Sequence, residues 1–542
     1  SYAAREIKIG ASDAPIIVAL EKNISQLDEV QYIAYGTTSK RYNVGNTASI
    51  KAADIEKQPV QNPLFALQGR VPGLLVTQNT GLANGTFNVQ IQGRNSITRG
   101  NDPLIVVDGV PLPFELLGAA SLGGPLNVGD NKRSNSPINF INPSDIEAID
   151  ILKDADATAI YGSRAANGAI LITTKKGKSG KTRVTVGIQQ GWSKVGRKLD
   201  MLDTRQYLDM RYEAIKNDGL TIDEYPNYDL RLWDTTRYTD WQKELIGGTA
   251  KNTNITTSVS GGTATIQYLV GGTLNRSTNV FPGNFANKTG NIHFNINTSS
   301  LDQRFKLGLT GSYAVNSNRV PGADLTRAAV LLAPNAPRLY NEDGTLNWAP
   351  NTTGSSTFNN PLAETAFSDY ENTMNMLTSN AQVSYSILPG LVIKSSFGYN
   401  NIRGDFFHAT LPSAVPPESR TNNHRISTFS NTNSFTWIAE PQLTFSKMIG
   451  KISVDALAGG TFQKDKAETK GVSGQGFIND LLVRDLASAT LVRGGYNNTI
   501  YRYNALFGRL NMIVNRKYIM NLTARRDGSS RFGENNLFHN FW

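Results

Sequence analysis

Cysteine is absent from all 542 residues, which excludes disulfides, thiol nucleophiles and thiolate metal sites. Histidine is nearly absent. His293, His408, His424 and His539 are the whole supply, and none stands three to five residues from another, so no zinc site is expected. No stretch approaches the roughly 18 consecutive apolar residues of a membrane helix. Ser1–Gly10 has no apolar core of a secretory leader, so the expectation is a mature or trimmed chain. Gly180-Lys181-Thr182 resembles the end of a phosphate loop, but Lys175 stands where that loop requires glycine. Asn341–Gly344 lacks the alternating ligands of a calcium loop. No nucleophile elbow with supporting context occurs. The formal charge is +10, yet Lys and Arg are interspersed with Asp and Glu, and only 131–133 and 175–183 are locally basic. That is a solvated surface rather than a nucleic-acid footprint. The expectation is no enzyme, cofactor, metal or nucleic-acid partner.

What is present is alternation. Hydrophobic residues make up 39%, and the mean hydropathy is −0.32. A transmembrane β-barrel keeps such a low average, because lipid-facing and lumen-facing residues alternate. From Arg183 onward, 291–297 (NIHFNIN) alternates without a fault; His293 falls on its polar, lumen-facing side. Phe305, Leu307, Leu309 and Tyr313 alternate with polar neighbours, as do Ile266, Tyr268 and Val270; Ile452, Val454 and Ala456; and Leu510, Met512 and Val514. Runs of about ten residues suit a tilted membrane strand, and ten to twelve such strands are expected. Gly261–Gly262, Leu388–Gly390, Met448–Gly450 and Asn515–Lys517 read as tight turns, whereas 317–375, 403–424 and 464–498 read as long polar connections. Short on one side and long on the other is the barrel pattern. Trp192, Tyr313, Tyr399, Trp437 and Tyr518 fall near the expected strand ends, as interfacial girdles require.

Before Arg183 the texture differs. Short apolar runs are broken by Gly, Pro and Asn. Leu64, Phe65 and Leu67 form one apolar stripe ended by Gly69, and Pro72–Gly73 makes a turn. Phe87–Gly93 alternates, and Leu104–Val107 is a four-residue strand closed by the hairpin dipeptide Asp108–Gly109. The most informative stretch is Ile141–Gly177 (INPSDIEAIDILKDADATAIYGSRAANGAILITTKKG). Ile149 and Ile151 around Asp150 predict a half-buried strand. Asp154 suits a helix N-cap, Ala155, Ala157, Ala159 and Ile160 a short helix, and Gly162 a left-handed terminating residue. A second strand follows at Ala169–Thr174.

In this order, these segments resemble the plug domain of the SusC-like TonB-dependent outer-membrane transporters, over nearly all of 60–182. Arg526–Phe532 (RDGSSRF) resembles a mid-barrel motif of that family. The resemblance implies a transmembrane antiparallel β-barrel of 22 strands with an internal α/β plug, of which about half is present, so both ends are expected to be internal. It divides the chain into the tail of an Ig-like extension (1–27), a TonB-box-like segment and linker (28–40), a plug (41–182) and the first half of a barrel (183–542). It implies an outer-membrane location, with plug and N-terminus toward the periplasm. The implied activity is TonB-dependent import of an oligosaccharide or peptide beneath a SusD-like lipoprotein lid. Leu27, Asp28, Glu29, Val30, Gln31 and Tyr32 would contact TonB, which draws on its inner-membrane motor, by adding an edge strand. Arg70, Arg94, Asp108 and Arg164 are candidates for anchoring or gating the plug, the arginines through carboxylate pairs. Tyr340, Trp348, Asn359 and Asn360 are candidates for ligand contact, against ordinary loop packing. Two rivals remain: a receptor or assembly component of the same fold that moves nothing, and a soluble multidomain β-protein with a plug-like segment.

Overall fold

The computed structural model describes residues 30–541 apart from 34–35, 44, 59, 61, 79–84, 86, 95, 97–99, 113–136, 155–157, 224–226, 320, 322–323, 367 and 534–535. Two β-units account for most of it. In the first, β1 (Val30–Ile33) pairs with β2 (Gly36–Ser39) as a hairpin. β3 (Thr47–Lys51) belongs to a mixed sheet; β4 (Leu74–Gln78) and β5 (Phe87–Ile91) form a separate hairpin. β6 (Leu104–Val107), β7 (Val110–Pro111), β8 (Ile146–Leu152) and β9 (Ala169–Thr174) complete the mixed sheet, in the order β3-β8-β9-β6-β7 with β6 parallel to β9.

The second unit is one antiparallel sheet of twelve strands in chain order. Its strands are β10 (Gly180–Ser193), β11 (Ala250–Gly262), β12 (Ile266–Thr278), β13 (Ala286–Ser299), β14 (Phe305–Arg319), β15 (Ser368–Leu388), β16 (Leu391–Thr410), β17 (Ile426–Ile449), β18 (Ile452–Gln475), β19 (Leu491–Val514), β20 (Tyr518–Ser529) and β21 (Phe538–Phe541). The expected turns fall between strands. Asn515 and Arg516, for instance, take φ 54° and 56° between β19 and β20, the left-handed pair of a type I′ hairpin.

Strand length departs from the ten residues expected. β10–β14 run 13 to 15 residues and β15–β19 run 20 to 24. The predicted connections 403–424 and 464–498 are therefore partly strand, leaving 411–425 and 476–490. Their alternation fades in sequence because both faces are polar, while the hydrogen-bonded ladder continues regardless. Tyr313, Tyr399 and Trp437 consequently stand in mid-strand, with Tyr399 opposite Trp437. They point outward, like Trp192 and Tyr518. Between them the outer face carries Ile188, Leu274, Ile292, Phe397 and Leu522, all exposed.

The inner face of the large sheet holds the first unit. Ile50, Leu64, Val89, Ile105, Ile149 and Ile172 pack with Ala314, Met374, Met376 and Ile402 of the sheet. Leu152, Ile160 and Tyr161 pack with Leu457 and Phe507. Each such side chain, fully buried, contributes about 1.5–3 kcal/mol relative to exposure. β8 is thus buried on both faces rather than half-buried, and Asp150 is only 2% exposed. Burial raises its carboxyl to about 6 against the pull of a Ser49 hydrogen bond. Above β10–β14, the connections 194–249, 279–285 and 320–367 form a separate packed module. Its core is Trp241, Leu245, Leu325, Trp348 and Phe358, joined by Val280 and Phe281.

Candidate functional site: the contact between the inner unit and the sheet

The segment Ala159–Ala165 is a 3₁₀ run kinked at Gly162, whose φ of 63° and ψ of −148° interrupt it. Ala155 and Ala157 lie outside the described residues. Gly162 takes the positive φ that the sequence predicted and separates two short helical turns, so the segment continues beyond it after a sharp bend. The bend presents the backbone of Ile160–Ser163 to β20. There Arg525 and Asp527, two residues apart on one face, pair at 2.5 Å with side chains 0% exposed. Arg525 Nη1 donates to the Ile160 carbonyl and Nη2 to the Tyr503 hydroxyl at 2.8 Å. Asp527 Oδ2 accepts from Ser163 N at 2.8 Å and Ser163 Oγ at 3.1 Å. A Cβ on Gly162 would fall 2.6 Å from Arg525 Nε, so only glycine fits. Burial also pushes the neighbouring Tyr161 hydroxyl above its ordinary range.

Arg164 extends the same contact. Its Nη1 donates to Gln463 Oε1 at 2.5 Å, Nη2 lies 3.8 Å from Glu440 Oε1, and the guanidinium sits 4.5 Å over the Tyr503 ring. Glu440 accepts from Thr461, and Gln463 holds Asp465 through both carboxylate oxygens. Breaking one buried, hydrogen-bonded pair costs about 3–5 kcal/mol. This side is a charged clamp.

The opposite side is made of neutral groups. Asp108 (φ 47°) and Gly109 (φ 87°) form the hairpin tip. The Asp108 carboxylate is tied inside its own unit, accepting from Thr174 N at 2.9 Å and Thr174 Oγ1 at 2.7 Å. Burial raises its pKa and these donors pull it back. Only its carbonyl touches the sheet, accepting from Asn380 Nδ2. Asn142 donates to Asn254 at 3.2 Å. Asp145 Oδ2 lies 3.2 Å from Nδ1 of His293, which faces inward as its strand pattern predicted. Burial raises Asp145 to about 7 while Lys175 lowers it. Neutral hydrogen bonds are worth about 0.5–1.5 kcal/mol net each, because water replaces them. The two sides therefore differ several-fold in the cost of separation.

Other sequence candidates lie elsewhere. Arg70 is exposed and donates to the Asp54 carbonyl within its own unit at 3.4 Å. Arg94 is exposed. Leu27, Asp28 and Glu29 lie outside the described residues, while Val30, Gln31 and Tyr32 belong to β1, already paired with β2. Trp348 is 6% exposed in the loop-module core. Asn360 is buried too, donating to the carbonyls of Leu339 and Asn347. Both are committed to packing, whereas Tyr340 and Asn359 are exposed, so the four share no common surface. Sequence reasoning missed Arg525, Asp527, Glu440, Gln463 and Tyr503. The one signal was an Arg–x–Asp pair on the inward face of an otherwise ordinary strand. Among the described residues, no cluster of three His, Asp or Glu could hold a metal ion. No described helix is long and apolar enough to cross a membrane, which says nothing of strands.

A family model described as the TonB-dependent Receptor Plug Domain matches residues 39–169. A TonB-dependent receptor of Formosa agariphila is 31% identical over 99% of this chain and 52% of its own length. The TonB-dependent receptor SusC of Bacteroides thetaiotaomicron is 29% identical over 100% of this chain and 52% of its own. The chain belongs to the SusC-like TonB-dependent receptors. It spans about half the length of these relatives. A structure of the RagAB peptide importer in an open-open state superposes with a TM-score of 0.77 at 22% identity, covering 95% of this chain and 58% of that one. In this SusC-like receptor the inner unit is the plug. The twelve-stranded sheet is barrel wall, with an exposed aliphatic outer face and an inner face toward the plug.

Proposed function

We propose that the full-length protein is an active importer of the outer membrane, with the plug and β1–β2 on the periplasmic side. The observation that carries this reading is a plug fixed to the wall by a buried charged clamp on one side and by exchangeable neutral bonds on the other. Such a plug blocks passive flow, yet mechanical work can shift it between discrete positions. TonB, powered from the inner membrane, would supply that work by pairing with the segment 27–32 at the free edge of β1. Arg164 and Asp108 serve as anchoring and gating residues. A SusD-like lipoprotein would close over the loop module. The cargo is a peptide or an oligosaccharide, the two classes that the family resemblance implies, and the likeness to a peptide importer supports the first. The chemistry is transport and not catalysis.

The test uses the full-length protein in its host. Uptake of a labelled peptide mixture and of a labelled oligosaccharide mixture is measured with and without TonB. Uptake of one mixture that vanishes without TonB is the expected result. Uptake indifferent to TonB, or none of either mixture, overturns the proposal.

A further inference from the structure

Cavities lie between plug and wall, and among the described residues the wall linings of three of them descend in register. β11, β13 and β15 run from the long-loop end toward the tight-turn end, so residue number gives depth. The first cavity, about 30 Å³, is lined by Asn252, Asn254, Asn275 and Asn287 near the loop end. The second, about 40 Å³, is lined by Asn291, His293, Ser312, Thr378 and Asn380 at mid-height, against Asp108 and Asp145 of the plug. The third, about 370 Å³, is lined by Asn297, Gln382, Lys394, Glu440 and Gln442 near the turns. Consecutive cavities share walls: Asn142 borders the first and second, Asn295 and Asn380 the second and third.

We infer that this seam, along β11–β16, is the route by which cargo passes the plug, and that the plug pivots on the Arg164–Arg525 clamp instead of leaving the barrel. The inference rests on the importer reading. What separates plug from wall here is mostly neutral side-chain bonds, with the single Asp145–His293 contact, and narrow necks between cavities, the lowest of which reaches Glu440 at the edge of the clamp. On the other side it is a charged clamp with no room for a Cβ at Gly162. Thr378 in the second cavity and Gln442 in the third each keep a buried polar oxygen without a protein hydrogen-bond partner, which places polar groups along the seam. Amides and hydroxyls with few charges suit a neutral chain rich in hydroxyl or amide groups. Lys394 and Glu440, of opposite sign, share the lowest cavity and leave it without a strong preference for either charge.

These 542 residues hold no cysteine, so within them an introduced pair meets no native thiol. In Val110→Cys with Gly398→Cys, the new sulfur replaces a Val110 methyl that lies 2.7 to 3.2 Å from where a Gly398 Cβ would stand, so a disulfide joins plug to β16. A second lock, Asn142→Cys with Asn254→Cys, is closed by a bifunctional bromobimane. Each full-length protein is placed in a planar bilayer and its potassium chloride current is followed as urea rises. The expected result is a current that appears below the urea needed to release the plug. Either lock abolishes it, and reduction restores it for the disulfide. Current that persists unchanged in both locked proteins overturns the route. Blocked hexaglycine or maltohexaose added on the loop side should interrupt the open current while tetraglutamate does not; equal interruption by all three overturns the neutral cargo class. The current needs no TonB, so its outcome is independent of the uptake test.

Discussion

Gly162 of the plug and Asp527 of the wall meet where the space between them holds no additional atom. Gly162→Ala must therefore displace the Arg525–Asp527 pair or unbend the 3₁₀ run. Either outcome leaves buried charge uncompensated, at a cost of about 3–5 kcal/mol to plug docking. The expected result is a folded barrel whose plug is cut early in limited proteolysis. Ser163→Ala, which removes one 3.1 Å hydroxyl contact and keeps the backbone donor, should be several-fold milder.

Arg164→Ala removes the partner of Glu440 and Gln463 while they remain buried. The urea midpoint of plug release should fall by an amount equivalent to about 3 kcal/mol or more. Replacing both Arg164 and Glu440 by Met should recover most of that loss, since a packed apolar pair carries no desolvation penalty. A double variant as weak as Arg164→Ala would show that the pair acts through geometry rather than charge.

Docking should weaken as pH rises. The Asp145 carboxyl titrates near 7 when docked, against an ordinary 3.8. Between these values the docked plug holds a proton that the released plug gives up. The contribution is fully present below pH 4 and is lost as pH climbs through 7. At about 1.4 kcal/mol per unit, it amounts to a few kcal/mol at most. Plug release by urea should thus need less denaturant at pH 8 than at pH 5, and Asp145→Asn should flatten that slope.

Within the loop module, Trp348→Ala should cost about 3–5 kcal/mol through the cavity it leaves. Asn360→Ala should cost about 1–3 kcal/mol by orphaning the buried Leu339 and Asn347 carbonyls. Tyr340→Ala and Asn359→Ala, at exposed positions, should leave the module's thermal transition unchanged. Calorimetry of the four variants distinguishes packing roles from ligand contact.

Legibility followed the range of the interactions. The 291–297 strand and the Asp108–Gly109 hairpin were readable because alternation and turn chemistry are local. The upper halves of β17 and β18 were not. Outside lipid, Lys464, Lys466, Glu468 and Lys470 face water, so no period marks a ladder that hydrogen bonds alone extend. Of the clamp only Arg164 was readable, and its partners on the wall were hidden for a different reason. Ser163 and Asp527 lie 364 residues apart, and nothing near either announces the other. Asp108 illustrates a partial reading: its turn was foreseen, but its carboxylate serves its own sheet, and the backbone carbonyl makes the contact.

The unequal strands divide the mouth into a rigid bank and a yielding one. β15–β19 are 20 to 24 residues long against 13 to 15 for β10–β14, a difference of roughly 10–25 Å in height when tilted at about 45°. On the tall bank every residue is tied into a continuous ladder that resists shear. On the low bank that height is filled by the loop module, which is held by side-chain packing around Trp241, Trp348 and Phe358 and not by a ladder, so its integrity answers to single core substitutions where the parapet opposite does not.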